Sequence, residues 1–163
     1  MQDSERASFK AISLLNEYVS TDVHLIGSDN HQSLQVRLQQ VHREMRTKPG
    51  FEPLSRIAVA LDHSSIDTAA TLIESCVGGP AIGRYEARLS DSPSLRQIAT
   101  TGEARIIDEI AAGRGSPRGT ALHDLGYRAS MALPIHSDSG LFGFVFMDAT
   151  VPHFFDEPRV QLA

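Results

Sequence analysis

The stretch Arg128–Asp148 reads RASMALPIHSDSGLFGFVFMD. From Arg128 to His136 the residues alternate: Ser130 and Ala132 fall on one parity, Ala129, Met131, Leu133 and Ile135 on the other. That period of two marks a strand. Leu141 to Asp148 forms a second strand, with Phe142, Phe144 and Phe146 expected on one face and Leu141, Val145 and Met147 on the other. Ser137-Asp138-Ser139-Gly140 is a compact loop that joins the two as a hairpin. A strand apolar on both faces is covered on both faces. The pair therefore predicts an antiparallel sheet inside a layered domain.

Working outward, the segment before this hairpin is punctuated. Ser92 reads as a helix N-cap with Pro93 at the first helical position. Leu95, Ile98 and Ala99 form one face of that helix, and Gly102 stops it. Ala104 to Asp108 is a short strand, Gly113-Arg114-Gly115-Ser116-Pro117-Arg118-Gly119 a loop, and Thr120 to Leu125 a short helix ended by Gly126. Further back, Ile57, Val59 and Leu61 alternate with Ala58 and Ala60 as a strand. A turn-rich Asp62–Asp67 leads to a partner strand, Ala69 to Val77, which Gly78-Gly79-Pro80 breaks. An irregular segment follows to about Ser90. Two helices are expected at the start, one carrying Phe9, Ile12, Leu15 and Val19, the other Leu34, Leu38, Val41 and Met45, ended by Pro49-Gly50. The second stripe is narrow and suits either a two-helix seam or a cover for the sheet. At the far end Phe154-Phe155 precede Asp156, a cap for a helix beginning near Glu157.

The whole is an α+β domain with a mainly antiparallel sheet. It divides into N-terminal helices over 1–50, sheet and pocket over 51–155, and the start of a C-terminal helix over 156–163, which is expected to continue beyond Ala163.

Composition narrows the function. The 163 residues suit one domain, and 41% hydrophobic with 21% charged is ordinary globular usage. A net charge of -5 and dispersed basic residues argue against nucleic acid as a partner. Cys76 is the single cysteine, so an intramolecular disulfide and a cysteine zinc site are excluded. The seven histidines, His24, His31, His42, His63, His123, His136 and His153, contain no H-x-x-x-H pair, and no metal site is expected. The polar start MQDSERASFK is no secretory signal, and the apolar runs fall short of the ~20 residues that span a bilayer, so a cytoplasmic location without membrane insertion is expected.

The region from Pro93 to Asp156 resembles the GAF family. The resemblance rests on TGEARIIDEI, LGYRASMALPI, GLFGFVFMDA and PHFFDE in that order. Thr101-Gly102 to Asp108 matches the family's Thr-Gly-…-Asp segment, Ser130 to Pro134 its Ser-…-Pro strand, and Gly140 to Phe146 its glycine-led strand. GRYEARLSDSPSL resembles GAF domains that stand beside HD-GYP phosphodiesterase or diguanylate cyclase (GGDEF) outputs of cyclic di-GMP signalling. The resemblance implies a central sheet with helices on one face and a ligand pocket on the other, in a sensor module without catalysis of its own. It does not name the ligand or cofactor. The Asn-Lys-x-Asp-Glu pattern of cyclic-nucleotide-binding members is absent, and Cys76 lacks the neighbouring histidine of bilin-carrying members.

Six residues are candidate ligand contacts. Ser130 and Ala132 form a small, partly polar face, which either leaves room for a ligand or lets a helix approach. Asp108 would accept from a ligand, or cap the segment from Glu109. Arg128 would pair with an anion, or lie at the strand edge. Tyr85 and Tyr127 would stack on a planar ligand, or close the core. Arg114 and Arg118 would touch an anion, or sit in a surface loop. A lone His123 would ligate haem iron, or be solvated. Cys76 reads as a small buried apolar residue.

Three function classes follow. The first is a small-molecule sensor that modulates a covalently linked output domain, acting as a homodimer. The second is a ligand-free dimerisation or interaction module. The third, a thiol-dependent reductase, lacks the second thiol that exchange requires.

Overall fold

The computed structural model describes residues 28–63, 66–78, 81–83, 85–111 and 117–155. The helices expected over Ser4–Val19 and from Glu157 lie outside the described residues.

The described elements are α1 (Ser28–Arg46), β1 (Leu54–His63), β2 (Thr68–Cys76), β3 (Glu86–Arg88), α2 (Pro93–Thr101), β4 (Arg105–Ile107), α3 (Pro117–Asp124), β5 (Ala129–Ser137) and β6 (Gly140–Ala149). The strands form one sheet in the order β3-β2-β1-β6-β5-β4. Every pairing is antiparallel. The expected α+β class with a mainly antiparallel sheet is what the chain adopts.

The expected hairpins form, with tighter turns than the composition suggests. Ser137 pairs with Gly140, so the β5–β6 turn is the dipeptide Asp138-Ser139, and Gly140 takes φ +118°. Alternation was expected to run unbroken through β6, and here the structure differs. Ile135 pairs with Gly143 but His136 with Leu141, leaving Phe142 as an extra residue. A bulge reverses the parity beyond it. Phe142 therefore packs with Val145 and Met147, while Leu141 packs with Phe144 and Phe146. Gly143 sits at the closest approach of β6 to β1, where an added Cβ would meet the Ala60 carbonyl oxygen at 2.1 Å.

The two sheet faces differ in bulk. The outer face carries Ile57, Val59, Ile73, Met131, Val145 and Met147, and α1 covers it with Leu34, Leu38 and Met45. The α1 stripe is thus buried against its own sheet, which decides between the two expected roles of that stripe and removes it from a seam between helices. Phe51, Phe154 and Phe155 close the end of this core through edge-to-face rings with centroids 5.9 and 4.9 Å apart. His42, fully buried, fixes α1 to the sheet: one ring nitrogen lies 2.9 Å from the Leu54 carbonyl oxygen and the other 2.9 Å from Ser75 Oγ. A carbonyl accepts only, so Nε2 donates to Leu54 and Nδ1 accepts from Ser75. Gln35 of α1 reaches the edge of β2, its side-chain amide donating to Glu74 O at 2.6 Å and accepting from Glu74 N at 3.3 Å.

The inner face is lined by Ala58, Ala60, Ala69 and Ala132. Small residues there let α2 bring Leu95 and Ile98 close to Phe144 and Phe146. Pro93 opens α2 and Gly102 ends it with φ +71° and its N–H on Ile98 O, as expected. Ser92 precedes the helix, but its side chain makes no capping hydrogen bond. Three local expectations are corrected. The helix expected over Thr120–Leu125 begins at Pro117, so Arg118 is helical. The segment read as irregular to Ser90 contains β3, which pairs with Thr68–Ala70. Helix α1 starts at Ser28, well before Leu34, the first residue of its expected stripe.

Candidate functional site

The inner-face parity of the strands places charged residues in the interior. Cys76, Arg56, Asp148 and Ser130 are register partners across β2, β1, β6 and β5. Arg56 is 1% exposed and Asp148 fully buried. Arg56 Nη1 donates to Asp148 Oδ2 at 2.5 Å and its Nε to Glu74 Oε2 at 2.6 Å. Ser130 Oγ donates to Asp148 Oδ1 at 2.6 Å, and Gly83 N to Glu74 Oε1 at 3.0 Å. Burial opposes the Arg56 charge, and the carboxylates of Asp148 and Glu74 outweigh it, raising its pKa. Such a network is stable only when its members are satisfied.

Two arginines nearby are less well served. Arg118, on α3, is 8% exposed and lies over the Phe146 ring at 4.1 Å from its centroid. Its Nη2 stands 3.5 Å from Asp148 Oδ1 and makes no hydrogen bond among the described residues. Burial lowers its pKa to about 10, with Asp148 working against that shift. Arg105, on β4, donates from Nη1 to Ser94 Oγ at 2.6 Å, while its buried Nε has no hydrogen-bond partner among the described residues. Burial lowers the Arg105 pKa too.

Between these groups lies open space. A cleft of about 180 Å³ is bounded by β3, the start of α2 and the start of α3, with Tyr85, Ser92, Ser94, Arg105 and Arg118 on its walls. Behind it a void of about 10 Å³ reaches Arg56 and Phe146. A larger depression, about 510 Å³, is an open groove along β2 past the end of β3. We place the site in the smaller cleft, because the unsatisfied buried donors line it.

The six sequence candidates separate. Tyr85 lines the cleft, and its carbonyl accepts from Thr71 N at 2.9 Å. Ser130 is buried and orients Asp148. Ala132 is buried under α2 in the inner core. Tyr127 is fully buried with Ile110 and Leu122, and its hydroxyl pairs with the Cys76 thiol. Burial raises the pKa of both groups. Arg128 donates from Nη1 to the carbonyls of Tyr127 at 2.8 Å and His123 at 3.0 Å, stapling the turn into β5. Asp108 is exposed, and its carbonyl accepts from His153 N at 2.7 Å. Tyr85 is thus the candidate on the cleft wall, with Ser130 connected to it through Asp148.

Sequence reasoning missed Arg56, Asp148, Arg105 and Arg118 as a group. One signal was present: Arg56 shares the parity of Ala58 and Ala60, and Asp148 that of Phe144 and Phe146, which puts a cation and an anion on one buried face. Arg118 was read as an anion contact or a surface-loop residue; it is buried on a helix, which overturns the loop alternative. Among the described residues no group of histidine, cysteine or carboxylate side chains is placed to hold a metal ion. No described helix is long and apolar enough to cross a membrane.

No family model and no curated protein matches the chain. Solved structures do. The chromophore-binding domain of an unusual bacteriophytochrome from R. palustris aligns with a TM-score of 0.58 at 17% identity, over 94% of this chain and 58% of that one. The chain thus spans a little over half the length of that neighbour. The GAF domain of PixJ from Thermosynechococcus elongatus, in its blue-light absorbing form, gives a TM-score of 0.60 at 20% identity, over 82% of this chain and 79% of that one. The phycocyanobilin-bound GAF domain from a cyanobacterial phytochrome gives 0.57 at 18% identity, over 90% and 86%. These likenesses show the fold, and it is the GAF fold.

Proposed function

We propose that this GAF-fold chain is a regulatory module that senses a small molecule in the cleft between β3, α2 and α3 and passes its occupancy to an output domain, with no catalysis of its own. One observation carries the reading: buried arginine donors with no hydrogen-bond partner among the described residues line the walls of that cleft. A buried donor left unpaired costs stability, and a ligand removes that cost on binding. The neighbours in fold include pigment-bound GAF domains, which supports a ligand in this architecture.

A bilin is a poor fit to this chain. The cleft is smaller than the roughly 300–1,000 Å³ of drug-sized sites. Burial raises the Cys76 pKa, and a thiol held protonated is a weak nucleophile for covalent attachment. A compact metabolite fits better. The resemblance to GAF domains beside cyclic di-GMP enzymes, a cytoplasmic location and a homodimer of paired terminal helices belong to the same proposal and rest on the sequence.

Mass spectrometry of small molecules released from purified, denatured protein tests the sensor reading. One organic compound at near-stoichiometric yield is expected. An empty protein whose melting temperature no metabolite pool raises would leave the ligand-free interaction module in its place.

A further inference from the structure

We propose that the cleft contains an oxyanion subsite, in which Arg118 and Arg105 bind a carboxylate or phosphate group of the ligand. The inference rests on the sensor reading and names the chemistry of the ligand's charged end.

Charge balance is the first reason. Around Asp148 the guanidiniums of Arg56, Arg105 and Arg118 outnumber the carboxylates of Asp148 and Glu74 by one. The carboxylates are already engaged. Asp148 hydrogen-bonds Arg56 and Ser130 and stands 3.5 Å from Arg118 Nη2, and Glu74 serves Arg56 and Gly83 N. Arg118 and Arg105 repel each other electrostatically, and each retains a buried N–H without a hydrogen-bond partner among the described residues. An anion between them would neutralise the excess and accept both donors.

Geometry is the second reason. Both arginines line the same cleft, with the start of α2 on its wall. The first amides of a helix have no intrahelical acceptor, and the Ser92 side chain leaves them uncapped. They add a positive dipole end to the same space. Ser92, Ser94 and Tyr85 supply hydroxyls, while Asp91 and Arg88 stand at the exposed rim with opposite charges. The planar fork of arginine matches the paired oxygens of carboxylate and phosphate alike.

The test uses the full chain with ¹⁵N-labelled arginine, titrated with sodium phosphate and, separately, sodium acetate against sodium chloride at constant ionic strength. Saturable movement of the Arg105 Nε–H resonance is expected with at least one oxyanion and not with chloride. The arm that responds tells a phosphorylated ligand from a carboxylic acid. R118M should weaken that response by at least about tenfold, and should melt no lower than wild type in anion-free buffer, since it removes a buried cation whose nearest anion, Asp148 at 3.5 Å, is already hydrogen-bonded to Arg56. If R118M fails to fold, R118K keeps the charge without the fork and should still weaken the response. A wild-type spectrum indifferent to both oxyanions overturns the subsite. So does a response that survives both substitutions. Release of a neutral native ligand sinks the subsite and leaves the sensor reading standing. Anion binding by a protein that takes up no organic molecule does the reverse.

Discussion

Removing the Asp148 carboxylate probes the interior network most directly. In D148L the branching and heavy-atom count of the side chain are kept, while Arg56, 1% exposed, loses its 2.5 Å partner and Ser130 its acceptor. Breaking a buried pair from one side costs about 3–5 kcal/mol. Glu74 still holds Arg56 Nε at 2.6 Å, which pulls the cost toward the lower end. The orphaned Ser130 hydroxyl and the loss of the nearest anion to Arg118 push it back up. The expected destabilisation is about 4 kcal/mol, a large part of the roughly 5–15 kcal/mol that holds a domain together. The companion R56M/D148L removes both charges and should recover most of that loss, because a buried pair replaced by apolar groups is near neutral. Urea unfolding followed by far-UV circular dichroism measures each variant, with an unchanged m-value as the check on two-state behaviour. The reasoning fails if D148L costs less than about 1 kcal/mol, or if the double variant is as unstable as the sum of the single ones.

Other perturbations test separate joints. G143A drives a Cβ to 2.1 Å from the Ala60 carbonyl and should cost about 3 kcal/mol in the same unfolding assay; wild-type stability would show that β1 and β6 separate without cost. L38A deletes a stripe residue that is 2% exposed and should cost about 2–5 kcal/mol independently of protein concentration; a cost that vanishes on dilution would return the stripe to an intermolecular seam. Burial lowers the His42 pKa below its ordinary 6.5, so the folded chain keeps it neutral while the unfolded chain takes a proton. Stability is therefore full above pH 6.5 and falls as pH drops toward the folded pKa, by at most about 1.4 kcal/mol per pH unit. H42Q should flatten that acid limb in a pH series of urea midpoints, and an unchanged slope would place the titration elsewhere.

Legibility in the sequence followed the range of the forces involved. The β5–β6 hairpin, α2 between Pro93 and Gly102, and the hairpin of β1 with β2 rest on local alternation and turn chemistry, and each was readable. β3 has only Glu86, Ala87 and Arg88, too short to show a period, and exists because β2 offers it an edge. Phe142 was assigned to the wrong face because the bulge that it forms comes from pairing with β5 and leaves no mark in the alternation. The burial of Arg118 was invisible for a similar reason. Its glycine-flanked neighbourhood resembles a surface loop, and its burial depends on Phe146 and Asp148, some thirty residues downstream. The six site candidates were chosen for side-chain chemistry near one hairpin. The groups that line the cleft come from four elements that only the tertiary fold brings together.

Gln35 has a consequence for how the domain resists misassembly. Beyond β3 the outer edge of β2 presents backbone donors and acceptors to which a foreign strand would add. The Gln35 amide, one donor and one acceptor, occupies Glu74 as a single peptide unit of such a strand would. The guard belongs to α1, so it is in place only while that helix lies on the sheet. Lifting α1 uncovers the apolar outer face and unblocks the edge in one movement. The chain is thus most open to recruiting extended polypeptide at the moment it loses its largest described helix, and a Q35A variant would carry that exposure even when folded.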